Sequence, residues 1–313
     1  MLVDRSARIY VAGHRGLVGS AIVRRLRAEG CNELILKTRT ELDLTRQERV
    51  ASFFASARPD YVFLAAAKVG GILANDTYPA DFIRDNLLIE ANVIDAAHRE
   101  GVQKILFFGS SCIYPKHAPQ PIREEYLLTG PLEPTNEPYA IAKIAGIRMA
   151  QAYRRQFGLD AISLMPTNLY GPGDSFDLET AHVLPALVRK FHEGKVARHP
   201  TVVVWGTGAP RREFLHVDDL ADAAVFLMDR LHGGDIVNVG VGEDLSIREL
   251  AAMIARVVGY DGEIVFDTSK PDGTPLKRLD LSRIRALGWK ARIPLEEGLR
   301  ALYEWFLQHG AQR

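Results

Sequence analysis

Cysteine is scarce in this 313-residue chain: only Cys31 and Cys112 are present, too few for a disulfide scaffold and without the spacing of a metal site. No metal is expected. No stretch reaches the roughly 18 apolar residues of a membrane span, and the start carries Asp4, Arg5 and Arg8 where a secretory signal would be apolar. Net charge is also lacking. The 39 Lys plus Arg balance 39 Asp plus Glu without a long run of one sign, so nothing electrostatic recruits nucleic acid or a membrane surface. Internal repeats and low-complexity segments are missing too. These absences point to soluble small-molecule chemistry in the reduced cytosol, in a chain of one large or two intimate domains.

What is present alternates. Apolar runs at residues 7–12, 33–37, 60–67, 104–109, 160–165 and 236–239 read as strands, and the segments between the first five carry helical spacing. The pattern predicts an α/β fold, a doubly wound parallel sheet of Rossmann type, joined by a second, smaller, discontinuous α/β substrate domain. The cofactor part is assigned to residues 1–170 and about 211–238, the substrate part to about 171–210 and 239–313. One helix is expected over residues 77–97, with Asn86 on its buried stripe as a structural bridge to backbone. Six prolines between 115 and 138 mark a loop that could wall a site.

The first strand runs into Gly13-His14-Arg15-Gly16-Leu17-Val18-Gly19. Glycines at this point let the backbone turn and approach a pyrophosphate, whose charge the following helix N-terminus can meet. Where NAD enzymes place an acid after the second strand, this chain has Lys37 and Arg39. A 2′-phosphate suits them, so NADP is favoured over NAD, with Arg15 and Arg39 as the clamp; the plainer reading is a solvated basic edge. Further on, Pro138 can start a helix that puts Tyr139 and Lys143 one turn apart on one face. An ammonium within about 4–6 Å would lower the phenol's pKa. By itself such a pair is more simply a solvated helix face. Polar Ser110, Ser111 and Cys112 follow the fourth strand, at the sheet edge where ligands gather. A lone cysteine there could be inert and buried, and His182 a surface histidine.

Taken in order, the glycine loop, Ser110 and Tyr139-x-x-x-Lys143 resemble the extended short-chain dehydrogenase/reductase family, whose members act mostly on nucleotide sugars. Six longer stretches are similar to its GDP-sugar branch: Gly-His-Arg-Gly-Leu-Val-Gly-Ser from Gly13, Ala-Ala-Ala-Lys-Val-Gly-Gly-Ile from Ala65, Gly-Ser-Ser-Cys-Ile-Tyr-Pro-Lys from Gly109, Glu-Pro-Thr-Asn-Glu-Pro-Tyr-Ala-Ile-Ala-Lys from Glu133, Met-Pro-Thr-Asn-Leu-Tyr-Gly-Pro from Met165 and Arg-Glu-Phe-Leu-His-Val-Asp-Asp from Arg212. The resemblance covers nearly the whole chain. It implies epimerisation at C3 and C5 of a GDP-4-keto-6-deoxy sugar and NADPH reduction at C4, in a homodimer. A 3-deoxy sugar epimerised only at C5 is the alternative, and a non-catalytic nucleotide sensor the remote one.

The resemblance also implies residue roles. Cys112 would be the base and His182 the acid and the cation that favours the thiolate. Ser110 and Tyr139 would donate to the ketone oxygen, while Lys143 lowers the phenol's pKa and holds the nicotinamide ribose. The cofactor would meet residues 13–19, Arg39, Asp43, Leu44, Ala65, Ala66, Pro166, Asn168, Leu169 and His182. Asn168 and Val183 would lie near the sugar, with Lys190, Trp205, Arg212, Asp272 and Lys277 along the GDP. Arg212 and Lys277 would meet the diphosphate and Asp272 the ribose; Lys190 stands where an arginine occurs in some relatives. Trp205 could otherwise be core.

Overall fold

The computed structural model describes residues 5–178, 181–270 and 272–310; the charged start at Asp4 lies outside them. Its centre is a six-stranded parallel sheet. The strands are β1 (Ile9–Ala12), β2 (Leu34–Ile35), β3 (Tyr61–Leu64), β4 (Lys104–Phe108), β5 (Asp160–Pro166) and β10 (Ile236–Val239), in the spatial order β10-β5-β4-β3-β1-β2. Strands β1 and β4 are buried along their whole length, which is why they read as unbroken apolar runs rather than alternating ones. Helices α1 (Leu17–Ala28) and α7 (Val217–Arg230) pack together on the sheet, as do α4 (Pro79–Arg99) and α5 (Glu137–Phe157). This is the doubly wound fold. The order reverses between β1 and its neighbours β2 and β3, which makes the carboxyl edge there the natural crevice.

The helix expected over residues 77–97 is α4 (Pro79–Arg99), and a short helix not foreseen, α3 (Ile72–Thr77), precedes it. α3 ends before Tyr78, and α4 begins at Pro79, because proline lacks an N–H and disfavours helical backbone in the residue before it. Asn86 bridges as expected: its side chain accepts from Lys68 N at 2.9 Å and donates to the Lys68 and Phe82 carbonyls at 3.0 and 2.8 Å.

A second apolar cluster joins α6 (Val183–Val196), α8 (Ile247–Val258), α10 (Leu295–His309) and the strand pair β7 (Thr201–Trp205) and β12 (Glu263–Asp267). Ser246 and Glu249 cap the start of α8 reciprocally, and Gly259 ends it in the left-handed region at φ 75°. Between the two clusters, β8 (Arg211–Arg212) pairs with β11 (Leu245–Ser246) and β13 (Leu276–Lys277), while β6 (Asn168–Tyr170) pairs with β9 (Phe214–His216). The buried Glu213 carboxylate lies between β8 and β9, accepting from the amides of Val241, Gly242 and Leu279 at 2.6, 2.7 and 2.9 Å. No helix of the described residues is long and apolar enough to cross a membrane.

Candidate active site

Gly13 leaves β1 at φ +82°, and a Cβ there would lie 2.8 Å from Ala66 N and Cα. At Gly19 a Cβ would lie 2.2 Å from Gly13 O. Both glycines are therefore required by close backbone approach at the sheet edge. Gly16 precedes α1 in extended conformation with no side-chain cap, so the first amides of α1 remain available to an anion. The His14 Nδ1 atom is buried without a hydrogen-bond partner. These features fit a dinucleotide pyrophosphate held by residues 13–19 beside Ala65 and Ala66.

Arg15 and Arg39 are exposed near this mouth. Beyond Lys37 and Arg39, the chain after β2 also carries acids. Glu41 stands close by, but one of its carboxylate oxygens is occupied by Thr38 N and Oγ1 at 2.8 and 2.6 Å. Asp43 likewise folds onto Thr45, and the Leu44 carbonyl accepts from Asn92. Pro166 closes β5 and Leu169 lies against the main core, while the Asn168 amide donates to Glu213 O at 2.8 Å.

The reactive groups gather beyond β4. Ser110 caps a short turn, and its Oγ accepts from Cys112 N at 3.2 Å. Tyr139 enters from the first turn of α5, where Pro138 starts the helix, and its hydroxyl interacts with Ser110. Lys277 reaches Cys112 from β13, with Nζ 3.4 Å from Sγ. Burial by itself would push the Cys112 thiol up. The Lys277 charge, hydrogen bonds with Ser110 and Lys277, and the charge of Arg212 more than offset this and hold it below its usual value. Ser110, Cys112, Tyr139 and Lys277 thus form one cluster, and Glu133 and Asn136 line the same hollow.

Residues 9–240 match the NAD dependent epimerase/dehydratase family. The chain belongs to that family. It is 62% identical to GDP-L-fucose synthase 1 of Arabidopsis thaliana (99% of this chain, 96% of the relative) and 58% identical to GDP-L-fucose synthase of Escherichia coli (96% and 97%). Identity to GDP-L-colitose synthase of Yersinia pseudotuberculosis is 34%, over 96% and 98% of the two chains. Among solved structures, a GDP-6-OMe-4-keto-L-xylo-heptose reductase from C. jejuni superposes with TM-score 0.94 at 40% identity (99% and 100% covered). A GDP-L-fucose synthetase from Naegleria fowleri bound to NADP gives 0.91 at 28% (98% and 96%).

Within this epimerase/dehydratase fold, two sequence expectations change. Lys143 does not act on the phenol in the expected way: its Nζ lies 3.2 Å from Glu90 Oε1 and 5.9 Å from the Tyr139 ring centre. Burial, then the charges of Cys112 and Glu90, push the Tyr139 phenol well up, with only Ser110 opposing. Tyr139 is a held proton, not a phenolate. The second change concerns the cation beside Cys112. His182 is exposed just before α6, as the plainer reading of a surface histidine has it, yet packing around the ring and then the Lys277 charge lower its pKa. A neutral imidazole cannot be the thiolate's counter-ion. Lys277, expected at the diphosphate, takes that place.

Other expected substrate residues lie farther along the cleft. Arg212 is largely buried, with its guanidinium on the Arg211 and Thr274 carbonyls, and it feels Cys112, Asp272 and Glu133. Asp272 is engaged by Thr207 N and Oγ1 at 2.9 and 2.7 Å, so its carboxylate already positions the 207 turn. Trp205 is not core. Its ring is 56% exposed, with Lys190 and Lys270 ammonium groups 5.2 and 5.5 Å from the ring centre. Val183 is exposed at the start of α6. Sequence reading missed Glu90, since a glutamate within a helical pattern reads as surface; only its position four residues after the buried Asn86 hinted at the same stripe.

Proposed function

We propose that the chain is an NADPH-dependent epimerase/reductase that converts GDP-4-keto-6-deoxy-D-mannose to GDP-L-fucose. The observation that carries this reading is the Cys112 thiol, its pKa lowered by Lys277 next to Ser110 and Tyr139. Removing a proton α to a ketone needs a base near neutral pH and donors at the oxygen where charge develops. Cys112 takes the proton at C3 and at C5, and Ser110 and Tyr139 donate to O4. His182, once charged, gives the carbon a different proton, and the thiol and imidazole then exchange with solvent to reset for the second carbon. Desolvation first, and then the Lys277 charge, lower the imidazole's pKa; a diphosphate near Lys277 would offset the second of these.

NADPH, when bound, supplies the hydride for C4. The glycine loop and the α1 N-terminus hold its pyrophosphate, Arg15 and Arg39 its 2′-phosphate, and Lys143 the nicotinamide ribose. Tyr139 gives its proton to O4. The high proton affinity of the phenol suits a group that must arrive protonated.

The 58–62% identity to fucose synthases against 34% to a colitose synthase favours a 3-hydroxy sugar. Residues 1–170 and about 211–238 form the cofactor part of the proposal, the remainder the GDP-sugar part. Exposed Leu87, Leu88 and Ile141 on α4 and α5 support a homodimer through these helices, which sedimentation as a monomer would contradict. A working thiol suits the reducing cytosol. The function is tested by incubating the ketosugar and NADPH in deuterated water. Cofactor oxidation with label at C3 and C5 is expected; reduction without label would remove Cys112 and His182 from their roles.

A further inference from the structure

We propose that Glu90 is a positioning residue for the reduction: it holds the Lys143 ammonium inside the seam between α4 and α5, and its charge sets how readily Tyr139 releases its proton. The proposal rests on the reading of Tyr139 and Lys143 given above. Glu90 is 1% exposed and Lys143 2%, and the ammonium lies 3.2 Å from Glu90 Oε1. Room for the carboxylate comes from Gly146, where a Cβ would lie 2.6 Å from Glu90 Oε2. The Phe107 ring of β4 approaches from below, its centre 4.6 Å from the ammonium. Neither oxygen of Glu90 has a well-aligned hydrogen bond to any described group. The titratable groups facing it are Lys143 and Tyr139, both on α5, and β4 contributes only the uncharged Phe107.

A buried ion pair adds little net stability compared with apolar packing of the same volume. Such a pair against the reductive tyrosine is better explained by what it does to the tyrosine. Burial pushes the Glu90 carboxyl up, against the Lys143 charge, to about 7. Above that pH the carboxylate neutralises Lys143 and adds to burial and the Cys112 charge in raising the proton affinity of Tyr139. Below it the ammonium stands uncompensated beside the Tyr139 ring, and the phenol becomes the stronger acid. In the step itself C4 gains hydride, O4 gains the Tyr139 proton, and the phenolate regains a proton from solvent. The hydride step should therefore quicken as pH falls through about 7.

The test is single-turnover oxidation of NADPH by GDP-4-keto-6-deoxymannose across this pH range, with cofactor deuterated at the transferred position to mark the hydride step. For the unmodified protein a rise of roughly threefold on the acid side is expected, from a phenol about tenfold more acidic and a proton only partly transferred in the transition state. Glu90→Gln keeps the shape without the charge, and should give a flat profile at the acid-side rate. Glu90→Ala loses the hold on Lys143 and should raise KM for NADPH severalfold more than it lowers kcat. A wild-type-like pH dependence in Glu90→Gln, or an unchanged KM in Glu90→Ala, would overturn the proposal. Should either variant fail to fold, the unmodified protein decides: a hydride step independent of pH around 7 sinks the idea. Absence of any turnover by the unmodified protein would overturn the functional reading itself, and the proposal with it.

Discussion

The glycine loop and the thiol cluster sit at the same edge of one sheet, yet they are assembled in opposite ways. Residues 13–19 form their cradle from seven consecutive positions, whose close approaches involve the loop itself and the neighbouring Ala65 and Ala66. Cys112 instead depends on Lys277, 165 residues away in the chain. What joins them is the proline-rich wall. Ile122 N donates to Arg278 O, and Asp280 N to Ile122 O, both at 2.8 Å. The same wall is pinned to the sheet by Asn238, which accepts from the Tyr114 hydroxyl at 2.6 Å and donates to Ile122 O at 2.9 Å. A contiguous site survives as a sequence motif; a composite one exists only when distant segments dock.

The contrast can be broken first at the thiol. Cys112→Ser should reduce solvent deuterium incorporation at C3 and C5 by on the order of 10²-fold or more, the usual scale for loss of an acid–base group, while NADPH binding measured by fluorescence stays intact. At the cradle, Gly19→Ala places a methyl group against Gly13 O and should destabilise the fold by about 1–3 kcal/mol, as overpacking does. Thermal melting with and without NADPH would measure it, and a smaller gain in Tm on adding cofactor is expected in the variant.

Lys277→Met sharpens the difference, because it leaves the motif untouched and removes only the distant partner. Epimerisation requires the thiolate, so its rate rises with pH through the Cys112 pKa. Lys277 holds that pKa down; without it the rising limb moves to higher pH, and the rate at neutral pH should fall by about tenfold for every tenfold loss of thiol acidity. Exchange rates across pH would check the direction, and a limb that stays put would remove Lys277 from this role. The smallest effect is expected at Arg39→Ala: a several-fold fall in preference for NADPH over NADH, with kcat for NADPH little changed, read from initial rates.

Much of the molecule is legible in the chain alone. The parallel sheet follows from buried apolar runs alternating with helical spacing, Pro138 acts locally as its chemistry requires, and Gly13 and Asn86 can be picked out from their residue type and position although their partners, Ala66 and Lys68, lie elsewhere in the chain. Glu90 and Glu213 are not legible. Both are carboxylates that composition assigns to the surface, and both are buried because groups from other segments meet them: Lys143 in one case, three backbone amides in the other. Spacing places Tyr139 and Lys143 correctly on one helix, but their electrostatics depend on α4, which spacing along α5 cannot reveal.

The sequence by itself determined the strands, the glycine turn, the helix that carries Tyr139 and the presence of a cysteine after β4, since each depends on residues close together in the chain. Tertiary structure decided which charges face those groups. Lys277 rather than His182 stands at Cys112, and Glu90 rather than Tyr139 takes the Lys143 ammonium, because Coulomb forces depend on distance in space and act strongly only where burial has removed the water between.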